Sequence, residues 1–151
     1  MNNSKLGSGF RDRGSAKSEN RGSGIENLGP EKIKSYQDLD AWKQAMDLVV
    51  ECYKATRNFA KNETFGLSSQ LQRAAVSVVA NIAEGRSRGH TKEFLQHLAI
   101  AYGSLAELET HLQIANRLSY INDAGLSLLL DKTNLVGKLI NGLRRSLEKK
   151  L

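Results

Sequence analysis

The sequence predicts an all-α protein, an up-down-up-down antiparallel four-helix bundle preceded by a disordered N-terminal tail. Three observations carry that expectation. Helix formers dominate, β-branched runs are scarce, and there is one proline in 151 residues. From residue 36 onward, apolar positions recur at spacings of three and four, which is the period of one face of a helix. The periodic segments are joined by short polar connections, which make consecutive helices antiparallel neighbours. The chain divides accordingly into a tail, residues 1–35, and a bundle, residues 36–151.

The tail is rich in Gly, Ser and Asn, has no periodicity, and offers too few apolar groups to offset the entropy of ordering it. Its first 34 residues hold seven Lys/Arg against four Asp/Glu, half of the net charge of +6. Such a segment serves either as a nucleic-acid-binding arm or as a solubilising tail, and biased polar segments are more often simply solvated.

In the bundle, Asp38 or Asp40 is expected to cap the first helix. Trp42, Ala45, Met46, Val49, Tyr53 and Thr56 would face inward, and the helix would end near Phe59. Lys43, Asp47, Glu51, Lys54 and Arg57 take the outer side. After a polar turn in which Asn62 or Thr64 caps, the second helix runs from Gly66 to Gly85, with Gly85 as its C′ residue. This helix is the centre of the arrangement because it is almost uncharged. Leu67, Leu71, Ala74, Ala75, Val78, Val79 and Ile82 form an apolar face, with Gln70, Arg73, Ser77, Asn81 and Glu84 as a polar stripe beside it. The remaining arc, Ser69, Val76, Ala80 and Ala83, is small and mostly apolar where a surface helix would carry charge, and so is expected to meet a neighbouring subunit.

Thr91 would cap the third helix. Phe94, Leu98, Ala101, Leu105, Leu108, Leu112 and Ala115 alternate at spacings of four and three, an a/d seam. Gly103 lies mid-helix at a cost of about 1 kcal/mol against alanine, tolerable where another backbone passes close by. Asp123 would cap the fourth helix, whose seam is Leu129, Thr133, Val136, Ile140, Leu143 and Leu147.

This topology gathers scattered charges at one pole. Arg86, Arg88, His90, Lys92, Arg144, Arg145, Lys149 and Lys150 fall there, with the N-termini of the first and third helices and the positive ends of their dipoles. A pI near 9.5 suits a polyanionic partner. Arg86, Arg88, Lys92, Arg144, Arg145, Lys149 and Lys150 are therefore the candidate nucleic-acid contacts; the plainer role of some of them is to stabilise the C-termini of helices 2 and 4. No aromatics are interleaved with them, which points to phosphate contacts rather than base stacking. The opposite pole carries a mixed set that includes Arg57, Lys61, Glu63, Arg117 and Asp123.

Catalysis is not expected. No Glu-x-x-His pair of the di-iron bundle type occurs. His97 and His111 are fourteen residues apart on one helix, roughly 21 Å, too far to share a metal. Neither a metal nor a cofactor is implied. Levelling the antiparallel helices 2 and 3 about their loop puts Arg73 opposite Glu107 and Ser77 opposite Ser104, with Gln70 and His111 nearby. An Arg73–Glu107 ion pair is expected, its use being register or subunit contact; the alternative is two solvated surface charges. The lone Cys52, the lack of a membrane-length apolar run and the lack of a signal-peptide pattern suit a soluble cytoplasmic protein.

Several runs resemble a known family. They are Asp38-Leu39-Asp40-Ala41-Trp42-Lys43-Gln44-Ala45-Met46, then Gly66-Leu67-Ser68-Ser69-Gln70-Leu71-Gln72-Arg73-Ala74-Ala75-Val76-Ser77. Ala80-Asn81-Ile82-Ala83-Glu84-Gly85 and Ala101-Tyr102-Gly103-Ser104-Leu105-Ala106-Glu107-Leu108-Glu109-Thr110 follow in order. Together they are similar to the 23S rRNA-intervening-sequence protein family, also called S23 ribosomal protein or four helix bundle protein, over residues 36–147. The family's usual Phe-Pro before helix 2 is replaced by Asn58-Phe59-Ala60-Lys61, a departure confined to a loop. The resemblance implies a bundle that assembles into a ring, typically a homopentamer. It also implies relatedness to the accessory protein of diversity-generating retroelements, whose basic ring binds nucleic acid and reverse transcriptase. It supplies no catalytic residue. Two functions follow: a ring-forming nucleic-acid binder, RNA before DNA, or a protein–protein scaffold such as an accessory subunit of a reverse transcriptase.

Overall fold

The structure, a computed structural model, describes residues 33–151; the predicted basic tail up to residue 32 lies outside the described residues. Four helices follow in order: α1 (Asp40–Thr56), α2 (Leu67–Ser87), α3 (Thr91–Arg117) and α4 (Asp123–Glu148), with short 3₁₀ turns at Tyr36–Asp38 and Lys61–Glu63. Each helix packs against two others in the cycle α1–α2–α3–α4, while the diagonal pairs stay apart across the core. This is the predicted antiparallel bundle.

The core forms where the α2, α3 and α4 patterns place it. Leu71, Val78 and Ile82 from α2 meet Leu98, Leu105, Leu108 and Leu112 from α3, and Leu129, Val136 and Ile140 from α4, all buried. Leu143 and Leu147, in the last turns of α4, are only half-buried. Helix α1 departs from expectation. Its inward residues are Ala41, Ala45, Leu48, Cys52 and Thr56, whereas Met46 and Tyr53 are 38% and 44% exposed. Trp42 and Val49 are half-buried against the core's edge. The inward face is therefore rotated from the predicted one, and smaller side chains occupy it.

The caps also differ from expectation. Ser35 and Asp38 form a capping box on the first 3₁₀ turn: Gln37 N donates to Ser35 Oγ, and Asp38 Oδ2 accepts from the N–H groups of Lys34 and Ser35 at 2.9 Å each. Those backbone donors hold the Asp38 carboxyl below its usual range. Asp40 is already the first residue of α1, and Leu39 precedes it without a side-chain cap. Helix α1 stops at Thr56, with Phe59 buried beyond it. Helix α2 is capped neither by Asn62 nor by Thr64; Glu63 Oε2 accepts from Leu67 N at 2.9 Å. Thr91 opens α3 without capping it, and Asn122, not Asp123, caps α4 through Gly125 N at 2.8 Å.

Gly85 does not end α2. The helix continues to Ser87, Arg88 is its C-cap, and Gly89, at φ 76°, takes the left-handed position that favours glycine. Gly85 is instead buried where α2 and α3 make the most extensive contact of any helix pair.

Candidate nucleic-acid interface

The pole built by the ends of α2 and α4 and the starts of α1 and α3 carries the predicted cations, in three different states. Arg86 is half-buried, and its Nη2 donates to the carbonyl of Ile33 at 3.0 Å. It ties the chain entering the bundle to the last turn of α2. Arg88 donates from Nη2 to Glu84 Oε1 at 2.7 Å, with both side chains about half exposed (53% and 52%). That charged hydrogen bond pulls the Glu84 carboxyl below its usual range and raises the Arg88 guanidinium further. Lys92, Arg145, Lys149 and Lys150 are exposed, and Arg144 is half-buried. None of these five makes an ion pair among the described residues. The free charge thus belongs mainly to the end of α4 and the first turn of α3, with Glu93 and Glu148 interspersed.

The groove between α2 and α3 fixes the pole's geometry. Ser77 Oγ and Ser104 Oγ lie 2.8 Å apart, which is the register expected from levelling the two helices. Asn81 extends this polar row. Its Nδ2 donates to the Ser77 carbonyl at 2.8 Å, and its Oδ1 accepts from His97 Nδ1 at 3.0 Å. Sequence reasoning missed the Asn81–His97 contact, although the same levelling places the two residues opposite each other. The predicted Arg73–Glu107 ion pair does not form. Arg73 is exposed, and Glu107 Oε1 approaches His111 Nε2 at 3.3 Å along its own helix. Both positions are level but look outward, where holding two long side chains together gains little. Gln70 is exposed and does not join them, and His111 Nδ1 is buried without a partner.

The small-residue arc of α2 stays partly open. Val76 (40%) and Ala80 are exposed, and Ser69 and Ala83 are half-buried. Met46, Val50 (49% exposed) and Tyr53 of α1 continue it. Gln72 Nε2 donates to Thr56 Oγ1 at 2.9 Å, which levels α1 with α2. Stepping along both helices from that contact puts Tyr53 beside Val76 and Met46 beside Ala83. These seven residues line the outward α1–α2 groove, with the exposed Arg73, seven residues before Ala80, on the same side of α2.

Among the described residues no group of three or more His, Cys, Asp or Glu is placed to hold a metal. Cys52 is fully buried, and burial pushes its thiol up to about 12. A groove of about 250 Å³ between α3 and α4 is lined by Tyr102, Glu109, Asn134, Gly137, Lys138 and Asn141, among others. No helix among the described residues is long and apolar enough to cross a membrane.

A solved structure of a protein of unknown function from the S23 ribosomal protein family of Bacteroides thetaiotaomicron shares this fold. The TM-score is 0.62 at 23% identity, covering 69% of this chain and 97% of that one. Among curated proteins nothing matches. Residues 37–142, from the first 3₁₀ turn into the last turns of α4, match the 23S rRNA-intervening sequence protein family, and the chain belongs to that family.

Proposed function

We propose that this protein is a non-catalytic, cytoplasmic bundle that assembles into a ring, a homopentamer, and binds nucleic acid through its basic pole, RNA in preference to DNA. The observation that carries the reading is the set of exposed cations Lys92, Arg145, Lys149 and Lys150 at one end of the bundle, without an ion pair among the described residues. The N-termini of α1 and α3 add positive dipole ends at the same pole. Cations on flexible stems without an aromatic among them suit phosphate contacts, which give affinity without reading sequence. Arg144 adds charge from a half-buried position, while Arg86 and Arg88 act chiefly by holding Ile33 and Glu84.

The apolar α1–α2 strip supports assembly. A ring uses two different patches on each copy, one meeting the other around the circle. The strip, with Ser69, Val76, Ala80 and Ala83 at its centre, supplies one of them. A second reading, a scaffold for a protein such as a reverse transcriptase, takes the same ring and leaves the basic pole to solubility. Fluorescence anisotropy with an rRNA fragment, across a salt series, separates the two. Binding that weakens steeply with salt, and weakens further when the exposed cations are neutralised, supports the first reading. Absence of binding at low salt overturns it. Light scattering on the full chain tests the ring, and a monomeric mass rules it out.

A further inference from the structure

The pole opposite the basic one presents an aromatic ring to solvent. Phe65 is 96% exposed, far beyond any other large apolar residue of the bundle. The turn that carries it is braced on both sides. Thr64 Oγ1 donates to the Lys61 carbonyl at 2.8 Å, and the Thr64 N–H reaches the same carbonyl. Glu63 accepts from Leu67 N at 2.9 Å and from Tyr120 Oη at 3.2 Å, and Tyr120 in turn packs against Phe59, the rings tilted by 36° with centroids 5.2 Å apart. The ring therefore sits on a fixed turn while contributing almost nothing to the core of its own subunit.

The same pole carries three cations. Lys61 shares the turn, Arg57 caps α1 just before it, and Arg117 ends α3 just before Tyr120. All three are exposed and make no ion pair among the described residues. Two carboxylates share this end, Glu63, bonded as above, and the exposed Asp123, which accepts from Asn116 Nδ2 at 2.9 Å, so the three cations outnumber them by one. A flat apolar face on a braced turn, at an end of the bundle that also carries exposed cations, is the arrangement on which unpaired bases stack while their phosphates meet the charges.

We propose that Phe65 is a stacking platform for single-stranded nucleic acid, with Lys61, Arg57 and Arg117 as its phosphate contacts. This adds a base-contacting site at the far pole to the phosphate-contacting pole described above. Duplex bases are already stacked and paired, so the site discriminates in favour of single strands.

The test uses the full chain, a 12-nucleotide oligouridine and an RNA duplex of the same length, each measured across a salt series. Phe65→Ala is expected to weaken oligouridine binding by about 5- to 100-fold, the range of one lost base–aromatic contact. The salt dependence stays unchanged because no phosphate contact is removed, duplex binding is unaffected, and Phe65→Trp restores affinity. With the ring so exposed, the folded state survives the change, and an unaltered melting midpoint verifies it. Equal affinity of Phe65→Ala and the parent for oligouridine overturns the proposal. So does no binding of oligouridine by the parent, or an equal loss on duplex. A changed oligomer mass in Phe65→Ala also overturns it, since Phe65 then lies between copies, as does loss of a protein partner with oligouridine affinity intact. Neutralising Arg145, Lys149 and Lys150 tests the basic pole separately. If that change leaves binding intact while Phe65→Ala weakens it, the basic pole is refuted and this site stands.

Discussion

Gly85 of α2 packs against His97 of α3 so closely that a Cβ on Gly85 would lie 2.5 Å from the His97 Cβ and 3.0 Å from Phe94 Cδ2. Neither obstacle is the free end of a flexible side chain, so the helices would have to separate. Alanine gains about 1 kcal/mol of helix propensity over glycine, but overpacking a filled contact costs typically 1–3 kcal/mol and more where backbone shifts. Gly85→Ala is expected to be destabilising on balance, by about 1–2 kcal/mol, and to weaken the Asn81–His97 hydrogen bond one turn away. Urea denaturation measures the first. An unchanged or raised midpoint would show that the helices have room to give.

Gly103 predicts the opposite. It lies in the middle of α3, yet an added Cβ meets nothing within 4 Å, so the close backbone that would excuse a glycine there is not in its own subunit. Gly103→Ala is expected to stabilise the folded chain by about 0.5–1 kcal/mol through propensity alone. Run beside light scattering, the same variant asks whether a neighbouring copy uses the gap. A gain in chain stability together with loss of the oligomer would place Gly103 at a subunit contact.

These two glycines mark where the sequence is informative and where it is not. The α3 seam from Phe94 to Ala115 is legible because its residues keep the alternating spacing of four and three without a break, and all seven are buried. Helix α1 has apolar residues on two arcs. The larger ones, Trp42, Met46 and Tyr53, suggested the inward face, yet the bundle takes Ala41, Leu48 and Cys52 inward and leaves Met46 and Tyr53 on the outer strip. Size does not decide direction when both arcs are apolar. Levelling α2 with α3 found Ser77 opposite Ser104, but level alone does not say which way a side chain points, so it also paired Arg73 with Glu107 in error. Gly85 and Gly89 both follow an apolar run, and only the backbone angle shows that Gly89 is the one that turns the chain. Phe65 gave no periodic signal, because its exposure depends on how Glu63 and Tyr120 brace the turn.

Cys52 predicts an alkaline instability. Burial holds its thiol protonated, moving the pKa from 9.0 to about 12. The unfolded chain ionises first as pH rises, so the stability gained from the neutral buried thiol is complete below about pH 9 and is lost progressively up to about pH 12. Comparing urea midpoints of the parent and Cys52→Ala at pH 8 and pH 10.5 isolates the effect, since Lys and Tyr titrate in both. The parent is expected to lose more stability over that interval. A thiol reagent at neutral pH should leave the native chain unmodified and label it once unfolded; equal slopes and fast native labelling would contradict the burial.

Glu63 predicts a local effect with a distant consequence. One carboxylate oxygen satisfies the first N–H of α2 and the other accepts from Tyr120 Oη across the bundle's end. Glu63→Ala removes a helix cap and leaves the Tyr120 hydroxyl without this acceptor, a loss of about 1–2 kcal/mol. Hydrogen exchange should rise at Leu67 and Ser68 while the α3 seam stays protected. If the loss is spread evenly over the bundle, Glu63 is not the local brace described.

The basic pole predicts a ranking that counting charges would not give. Arg145, Lys149 and Lys150 are exposed and unpaired among the described residues, whereas Arg86 is tied to the Ile33 carbonyl and Arg88 to Glu84. Each phosphate contact on a single strand contributes about 0.7 to the slope of log affinity against log salt. Replacing Arg145, Lys149 and Lys150 by Gln is expected to flatten that slope by about 2 for a single-stranded RNA. Replacing Arg86 and Arg88 should flatten it by less than 1. Arg86→Gln should instead appear in stability, as faster hydrogen exchange around Tyr36 and Leu39, because the chain entering the bundle loses its tie to α2. An equal loss of slope from both sets would mean that nucleic acid pulls Arg86 and Arg88 away from their partners on binding. The interface would then be centred on the loop after α2 rather than on the end of α4.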